Sequence, residues 1–390
     1  MRKVCRELWI KERGKRTASS NHKHLVYRLF TISKYVKGGL MLISEHNLNK
    51  TLQKILQQAG SYEYEAALVS DHLVRSNLAG HDSHGAAMLP IYIKNIRAGV
   101  LIPGMSARLI RDDGSIMLFD GQRGYGQRVA AEAMAAAISR CRETGLVLMT
   151  LRNAHHIGRI GTYGEQSSAA GLVSLHFVNV IDHQPLVAPF GGRDARLSTN
   201  PICIAIPATG ENPPVLLDMA TSRISRGKAM VAMNRGEQMA EGLMLDSSGA
   251  PTTDPAVMFH EPGGALLPFG EHKGYGLALI CELLAGVLTG GGTIQPENPR
   301  LGGIVNNMFT IVVDPGRLVE YDWMQREVDA LIRHIKESPP VVAGEPVMVA
   351  GDPERNRMAE RSLKGISIDD ATWTAILDAG ESVGISRSLL

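Results

Sequence analysis

Gly121-Gln122-Arg123-Gly124-Tyr125-Gly126-Gln127-Arg128-Val129 is the stretch on which two fold classes separate. It follows a short apolar run, residues 115–119, that reads as a strand. It precedes an alanine-rich segment, about 127–143, that reads as a helix. Strand, glycine turn and helix is the order of a dinucleotide fingerprint, in which glycines let backbone approach a pyrophosphate. The third glycine position, however, holds Val129, and the acidic residue about twenty places on, Glu143, precedes the next strand instead of ending it. The match is weak. These glycines read as the needs of a strand-to-helix turn, and a Rossmann domain is not expected.

On the N-terminal side, residues 44–79 place apolar residues at helical spacing and predict two helices broken near Gly60-Ser61, with Ser61 as N-cap and Glu63 and Glu65 near the positive end of the second. A third helix is predicted at about 86–98. On the C-terminal side, strands are predicted at 146–151, 172–180, 202–207, 215–219 and 308–313, with helices at 161–170 and 274–288. Helical periodicity returns at 320–337 and 369–379, around a Pro/Gly-rich stretch from Pro339 to Pro353. The expected fold is α/β of the α+β kind. Residues 41–114 plus 314–390 form a helical domain that brackets a core at 115–313, and residues 1–40 stand apart as a leader.

The chain has 390 residues, 44% hydrophobic and 21% charged, which is ordinary for a globular protein. Its net charge of +2 does not point to nucleic acid. The charge is uneven: residues 1–40 carry 11 Lys/Arg against 2 Asp/Glu, and the remainder 30 against 37. The basic leader reads as a tail, a targeting peptide or a mis-assigned start before Met41, the last being preferred. Cys5, Cys141, Cys203 and Cys281 are too scattered for a zinc ribbon or disulfide framework, so no metal is expected. Buried thiols fit a reducing cytoplasm. No run approaches the ~20 apolar residues of a membrane span.

Two histidine–glycine segments carry the chemistry: Gly80-His81-Asp82-Ser83-His84-Gly85 and Asn153-Ala154-His155-His156-Ile157-Gly158. Histidine exchanges protons near neutral pH. His84 has Asp82 and Ser83 beside it to tune its basicity. His156 lies at a strand's C-terminal end, where ligands of α/β sheets gather, and His155 reads as packing or support. Thr199 and Asn200 offer hydrogen-bonding groups before a buried strand. Asp218, ending an apolar strand, suits a ribose hydroxyl, a histidine partner or a helix cap. His272-Lys273 opens an apolar helix, where a cation is disfavoured unless it meets an anion. No HExxH, Walker A, GxSxG or EF-hand pattern occurs.

Taken together, AGHDSHG (79–85), RNAHHIGRIG (152–161), VAPFGGRDARLSTNP (187–201), LLDMATS (216–222), GAPTTDPAVM (249–258), EHKGYGLAL (271–279) and AGDPE (350–354) resemble the malate/L-lactate dehydrogenase family of NAD(P)-dependent oxidoreductases without a Rossmann fold. The hydroxycarboxylate dehydrogenase B type is the nearest in character. The resemblance implies a non-Rossmann cofactor domain on a large mixed β-sheet, a homodimer, NAD or NADP as cofactor, and hydride transfer between a 2-hydroxy acid and a 2-oxo acid. It implies acid–base roles for His156 and His84, with Ser83 beside them. It implies cofactor contacts at His84, Gly158, Arg159, Ile160, Asp218, Met219, Ala220, His272, Lys273, Asn306, Gly351, Asp352, Pro353 and Glu354. Met88, Tyr92, Arg159, Thr199 and Asn200 fall on the substrate side. Many members carry arginine where this chain has Met88, which suits a bulkier 2-oxo acid here and leaves Arg159 to meet substrate carboxylate or cofactor. Reduction of a cyclic imino acid, and cofactor binding without turnover, are the alternatives.

Overall fold

The structure, a computed structural model, describes residues 34–36 and 40–390. The leader proposed for residues 1–40, Cys5 included, lies outside the described residues apart from Lys34–Val36 and Leu40.

The first helix, α1 (Glu45–Gln58), starts where Ser44 accepts a hydrogen bond from the Asn47 amide, and it buries Leu48, Leu52, Ile55 and Leu56 as one stripe. The second, α2 (Glu63–Leu78), starts one residue later than predicted: Tyr62 is its N-cap. Ser61 is buried, and its hydroxyl donates to the Tyr125 hydroxyl at 3.0 Å instead of capping. Helix α3 (Leu89–Arg97) follows two short 3-10 turns, Asp82–His84 and Ala86–Met88.

The C-terminal segment returns to this part of the molecule. Strand β13 (Ile366–Asp369) pairs with β2 (Leu40–Ile43), which also pairs with β1 (Lys34–Val36), all antiparallel. Helix α10 (Asp370–Ser382) packs on α3. Together they enclose a core containing Leu48, Leu73, Leu89, Tyr92, Ile368 and Ile376. Helix α9 (Asp352–Lys364) emerges from the Pro/Gly-rich stretch that hid it, with Pro353 in its first turn, where a missing N–H costs nothing.

The centre is a seven-stranded mixed sheet in the order β3 (Arg108–Asp113), β4 (Ile116–Asp120), β5 (Leu146–His155), β12 (Val305–Val313), β6 (Val173–Ile181), β7 (Ile202–Ile206), β8 (Val215–Met219). Only β4 and β5 run parallel. The other neighbours are antiparallel, which is incompatible with a doubly wound nucleotide fold. The sheet begins at β3, before Ser115. All six β3 residues are exposed, so no burial alternation announces the strand.

Helices α4 (Gly126–Thr144) and α5 (Gly161–Ala169) lie on the sheet with Val129, Ala133, Met134, Ala137 and Tyr163 buried. Helix α6 (Arg226–Arg235) and a small sheet of β9 (Met244–Leu245), β10 (Pro251–Thr252) and β11 (Ala265–Leu266) form a satellite cluster. Helix α7 (His272–Cys281) runs into a π-helical turn, Glu282–Val287, against β6 and β12. Helix α8 (Tyr321–Lys336) ties to the β7–β8 loop, where Asp329 accepts from Thr209 and Asn212. It is thereby attached to the sheet part, and its last residue, Lys336, also pairs with Asp352 of α9.

Gly126 has a specific reason to be glycine. A Cβ there would lie 2.1 Å from the His155 carbonyl oxygen and 2.5 Å from the His156 carbonyl carbon. The glycine turn that imitates a nucleotide fingerprint lets α4 close directly onto the histidine segment.

Candidate active site

His84 and His156 come from opposite sides of one junction. His84 ends a 3-10 turn supplied by the helical part, and His156 follows β5 of the sheet. The turn is pinned from three directions. Asp82 accepts from Asn77 at 2.7 Å and from both terminal nitrogens of Arg361, on α9, at 2.7 and 3.0 Å. Asn77 in turn accepts from the Ala86 amide at 2.8 Å.

The two rings stack, with centroids 5.2 Å apart and planes within 10°. His84 Nδ1 lies 3.1 Å from His156 Nε2. On its other side, His156 Nδ1 lies 2.6 Å from the Tyr92 hydroxyl, which accepts from Gln127 Nε2, also at 2.6 Å. With the Gln127 amide so oriented, the Tyr92 O–H is free to donate to His156 Nδ1. A neutral His156 then carries its proton on Nε2 and donates to His84 Nδ1, and a neutral His84 carries its proton on Nε2. The result is a directed chain, Gln127 to Tyr92 to His156 to His84.

Burial keeps both imidazoles neutral. His84 is held down to about 4, by desolvation first and then by the charges of His81 and Arg159. His156 is pushed well below the usual histidine range by burial and by its histidine neighbours. Burial also raises the Tyr92 phenol, which stays protonated. Ser83 packs against α6: its hydroxyl is 3.5 Å from that of Ser225, and a Cβ on Gly227 would lie 2.5 Å from its own.

His155 faces the other way. It pairs with Asn95 at 2.9 Å in the helical core, and burial holds it at about 3. His72 accepts from the Arg159 amide at 3.1 Å. Gly158 has a φ of +74°, and a side chain there would meet His72 Nε2 at 2.3 Å, so only glycine fits.

A second cluster lies beside this pair. The Arg159 side chain is almost wholly buried between Glu165, at 2.7 Å, and Asp218, at 3.4 Å. Asp218 also accepts from the Gly161 amide at 2.9 Å. Its carboxyl is pushed up by burial, opposed by Arg159 and His81. Arg159 Nε and one terminal nitrogen have no hydrogen-bond partner within the protein. The AGDPE segment is adjacent: the Leu216 amide donates to the Ala350 carbonyl, and Glu354 lies 3.5 Å from His81.

These features fit a nicotinamide dinucleotide. Buried guanidinium N–H groups await an acceptor, a buried carboxylate suits ribose hydroxyls, and glycines admit backbone contact. Gly158, Arg159, Ile160, Asp218 and Gly351 to Glu354 are brought together. Met219 and Ala220 continue from Asp218 and are half-buried. His272 and Lys273 are exposed at the start of α7, His272 edge-on to Phe190. Asp352 is engaged by Lys336 at 2.9 Å and Arg355 at 2.6 Å.

Several candidates also make structural contacts. Both ends of the Asn306 amide are used, accepting from Ile157 N and donating to the Asn179 carbonyl, each at 3.0 Å. Asn200 is buried and donates to Glu282 and the Ala278 carbonyl. The Thr199 carbonyl accepts from Thr221. Met88 lies in the helical core, and Tyr92 is fully buried behind His156. The residues that sequence reasoning missed are Gln127, Asn77, Asn95 and Arg361. Each is a common polar residue on a helix, with no local pattern to mark it.

A family model described as malate/L-lactate dehydrogenase matches residues 43–377. A protein named L-lactate dehydrogenase from Cupriavidus necator is 44% identical over 318 residues, which cover 82% of this chain and 91% of its own length. Hydroxycarboxylate dehydrogenase B of Escherichia coli K12 is 43% identical over 345 residues, 88% of this chain and 94% of that protein. The solved structure of sulfolactate dehydrogenase from Methanocaldococcus jannaschii has a TM-score of 0.76 at 31% identity, covering 89% of this chain and 99% of that one. The shared fold and the match along nearly the whole described chain lead to one conclusion: this chain belongs to the malate/L-lactate dehydrogenase family.

Proposed function

We propose that this protein is an NAD(P)-dependent oxidoreductase that interconverts a 2-hydroxy acid and a 2-oxo acid, with His84 and His156 as its coupled acid–base pair. The observation that carries this reading is the chain from Gln127 through Tyr92 and His156 to His84, which fixes the tautomer of both imidazoles. The chemistry supplied by a bound nicotinamide is hydride exchange with the substrate carbon. The part left to the protein is the proton on oxygen. In reduction, the developing alkoxide takes one proton from the histidine pair; in oxidation, the hydroxyl returns it.

A neutral imidazole is a poor acid, so the pair must hold an extra proton when it acts. The negative charge of a substrate carboxylate favours that proton. Binding of the oxo acid is therefore coupled to proton uptake, with the proton shared across the 3.1 Å gap between His84 and His156. Arg159, Asp218 and the Gly351–Glu354 turn would hold the cofactor.

The working form is a homodimer. Leu279, Ile280, Leu283, Val287 and Leu288 expose an apolar face on α7 and its π turn that a second copy would cover. Three cysteines, Cys141, Cys203 and Cys281, are free and buried, and no described helix is long and apolar enough to cross a membrane. The buried free thiols support a cytoplasmic protein.

The test follows NADH and NADPH absorbance with pyruvate, oxaloacetate, 2-oxoglutarate, phenylpyruvate and a cyclic imino acid. Oxidation with an oxo acid, lowered ~10²–10⁴-fold in His156→Ala or His84→Ala, is the expected result. Turnover of the cyclic imine alone, or none with any substrate, would remove this reading.

A further inference from the structure

Most buried or half-buried arginines around the site are already neutralised. Arg159 is held by Glu165 and Asp218, Arg75 by Glu165, Arg361 by Asp82 and Arg123 by Asp182. Arg300 spends its terminal nitrogens on Gln184 and the Ile294 carbonyl. Arg226 differs. It is exposed in the first turn of α6, and among the described residues no ion pair joins it to a carboxylate. Its guanidinium lies over the face of Phe259, 4.7 Å from the ring centroid. That contact orients the guanidinium plane and leaves its N–H edge unspent.

Helix α6 packs against the turn that carries His84. Ser225, the N-cap of α6, approaches Ser83, the residue before His84. Gly227 packs so closely on Ser83 that a side chain there would collide with it. Arg226 stands between these two contact residues. The charge of Arg226 acts on His183, which in turn acts on His156. No acidic residue occupies the first turn of α6, although carboxylates are favoured there. Meanwhile Met88 cannot pair with an anion, and the charge of Arg159 is offset by two carboxylates, its free N–H groups being assigned to the cofactor above.

We propose that Arg226 is the residue that binds the substrate's carboxylate, and that it fixes the oxo acid with its carbonyl toward His84 and His156. This rests on the 2-oxo acid reductase reading above. The planar guanidinium matches a carboxylate in a two-point contact, which selects acids over neutral ketones and restrains rotation about the bond between carboxylate and carbonyl carbons. Phe259 then forms an apolar wall beside the substrate's charged end.

The full chain is assayed as wild type, Arg226→Met, Arg226→Lys and, as a control on the same helix turn, Lys228→Met. Each is given a 2-oxo acid and its methyl ester, and each is titrated with oxamate, an unreactive carboxylate analogue. Arg226→Met should lose about 10–100-fold in kcat/KM on the acid, mostly through KM, and less than about 3-fold on the ester. Arg226→Lys should fall between, because it keeps the charge but not the fork, and Lys228→Met should match wild type. Oxamate affinity should fall in parallel with kcat/KM. Equal losses on acid and ester, or no loss in Arg226→Met, would overturn the assignment while leaving the reductase reading intact. Should the wild type turn over none of the oxo acids, the reductase reading fails and oxamate decides alone. Binding lost in Arg226→Met then sustains Arg226 as the carboxylate site, and binding unchanged or absent from the start overturns it.

Discussion

Tyr92→Phe removes one oxygen from a fully buried position. That oxygen makes two hydrogen bonds of 2.6 Å, one to His156 and one from Gln127. The ring itself remains, with its edge contacts to Tyr125 at 6.0 Å and His155 at 5.5 Å, so little apolar burial is lost. Two buried polar atoms, His156 Nδ1 and Gln127 Nε2, lose their partners. At ~1–3 kcal/mol per orphaned group, the loss is about 2–6 kcal/mol of stability. His156 also loses the donor that fixes its tautomer, and turnover should fall ~10–100-fold. The double variant Tyr92→Phe/Gln127→Met separates the two effects. Gln127 Oε1 is already without a partner, so Met at that position removes every polar atom left stranded on that side chain. Replacing both members of a buried pair costs far less than replacing one. The double variant should regain ~1–2 kcal/mol while staying as slow as the single one. Urea unfolding midpoints and steady-state rates measure both. A Tyr92→Phe protein within ~0.5 kcal/mol of wild type, or a double variant that recovers turnover, would refute the relay.

Acid should unfold this protein early. His72, His155 and His176 are held at about 3 and His84 at about 4, chiefly by burial, against an ordinary 6.5. The unfolded chain therefore binds more protons below pH 6.5, so their contribution is full above that pH and lost as pH falls. Four such groups cost roughly 5 kcal/mol per pH unit, which exhausts a stability of about 10 kcal/mol near pH 4.5; circular dichroism showing native signal at pH 3.5 would contradict it. Gly126→Ala forces a Cβ onto the His155 and His156 backbone, so it should cost at least ~2 kcal/mol and most of the activity, read by thermal unfolding and rate. Leu283→Glu puts a charge in the exposed apolar face of the π turn and should convert a dimer to a monomer on light scattering, whereas an unchanged mass would place the interface elsewhere.

Some of this was legible in the chain. The stripe of Leu48, Leu52, Ile55 and Leu56 marks α1 because a buried helix face repeats every three to four residues. His84 and His156 stand out because each sits beside glycines in a short contiguous segment. The failure of a nucleotide fingerprint at Val129 correctly removed the Rossmann fold, and the mixed sheet agrees. Other elements were hidden for equally physical reasons. Strand β3 is exposed throughout, so it has no alternation to detect. Helix α9 follows a Pro/Gly-rich stretch that reads as loop. Ser61 has the chemistry of an N-cap, yet burial against Tyr125 takes its hydroxyl elsewhere.

The local sequence therefore determined many of the elements, the candidate histidines and the family, since helical stripes, glycine turns and histidine motifs are written within a few residues of one another. Only the tertiary structure decided how those residues act. It placed Gln127, thirty-five residues from Tyr92, behind it; it placed Arg361 on Asp82, 279 residues away, to pin the His84 turn. It set Arg159 between Glu165 and Asp218 and, among the described residues, left Arg226 without a carboxylate. The tautomer and pKa of a histidine follow from what surrounds it in space. That surrounding is assembled from distant segments by burial of the core, and no short-range pattern in the chain records it.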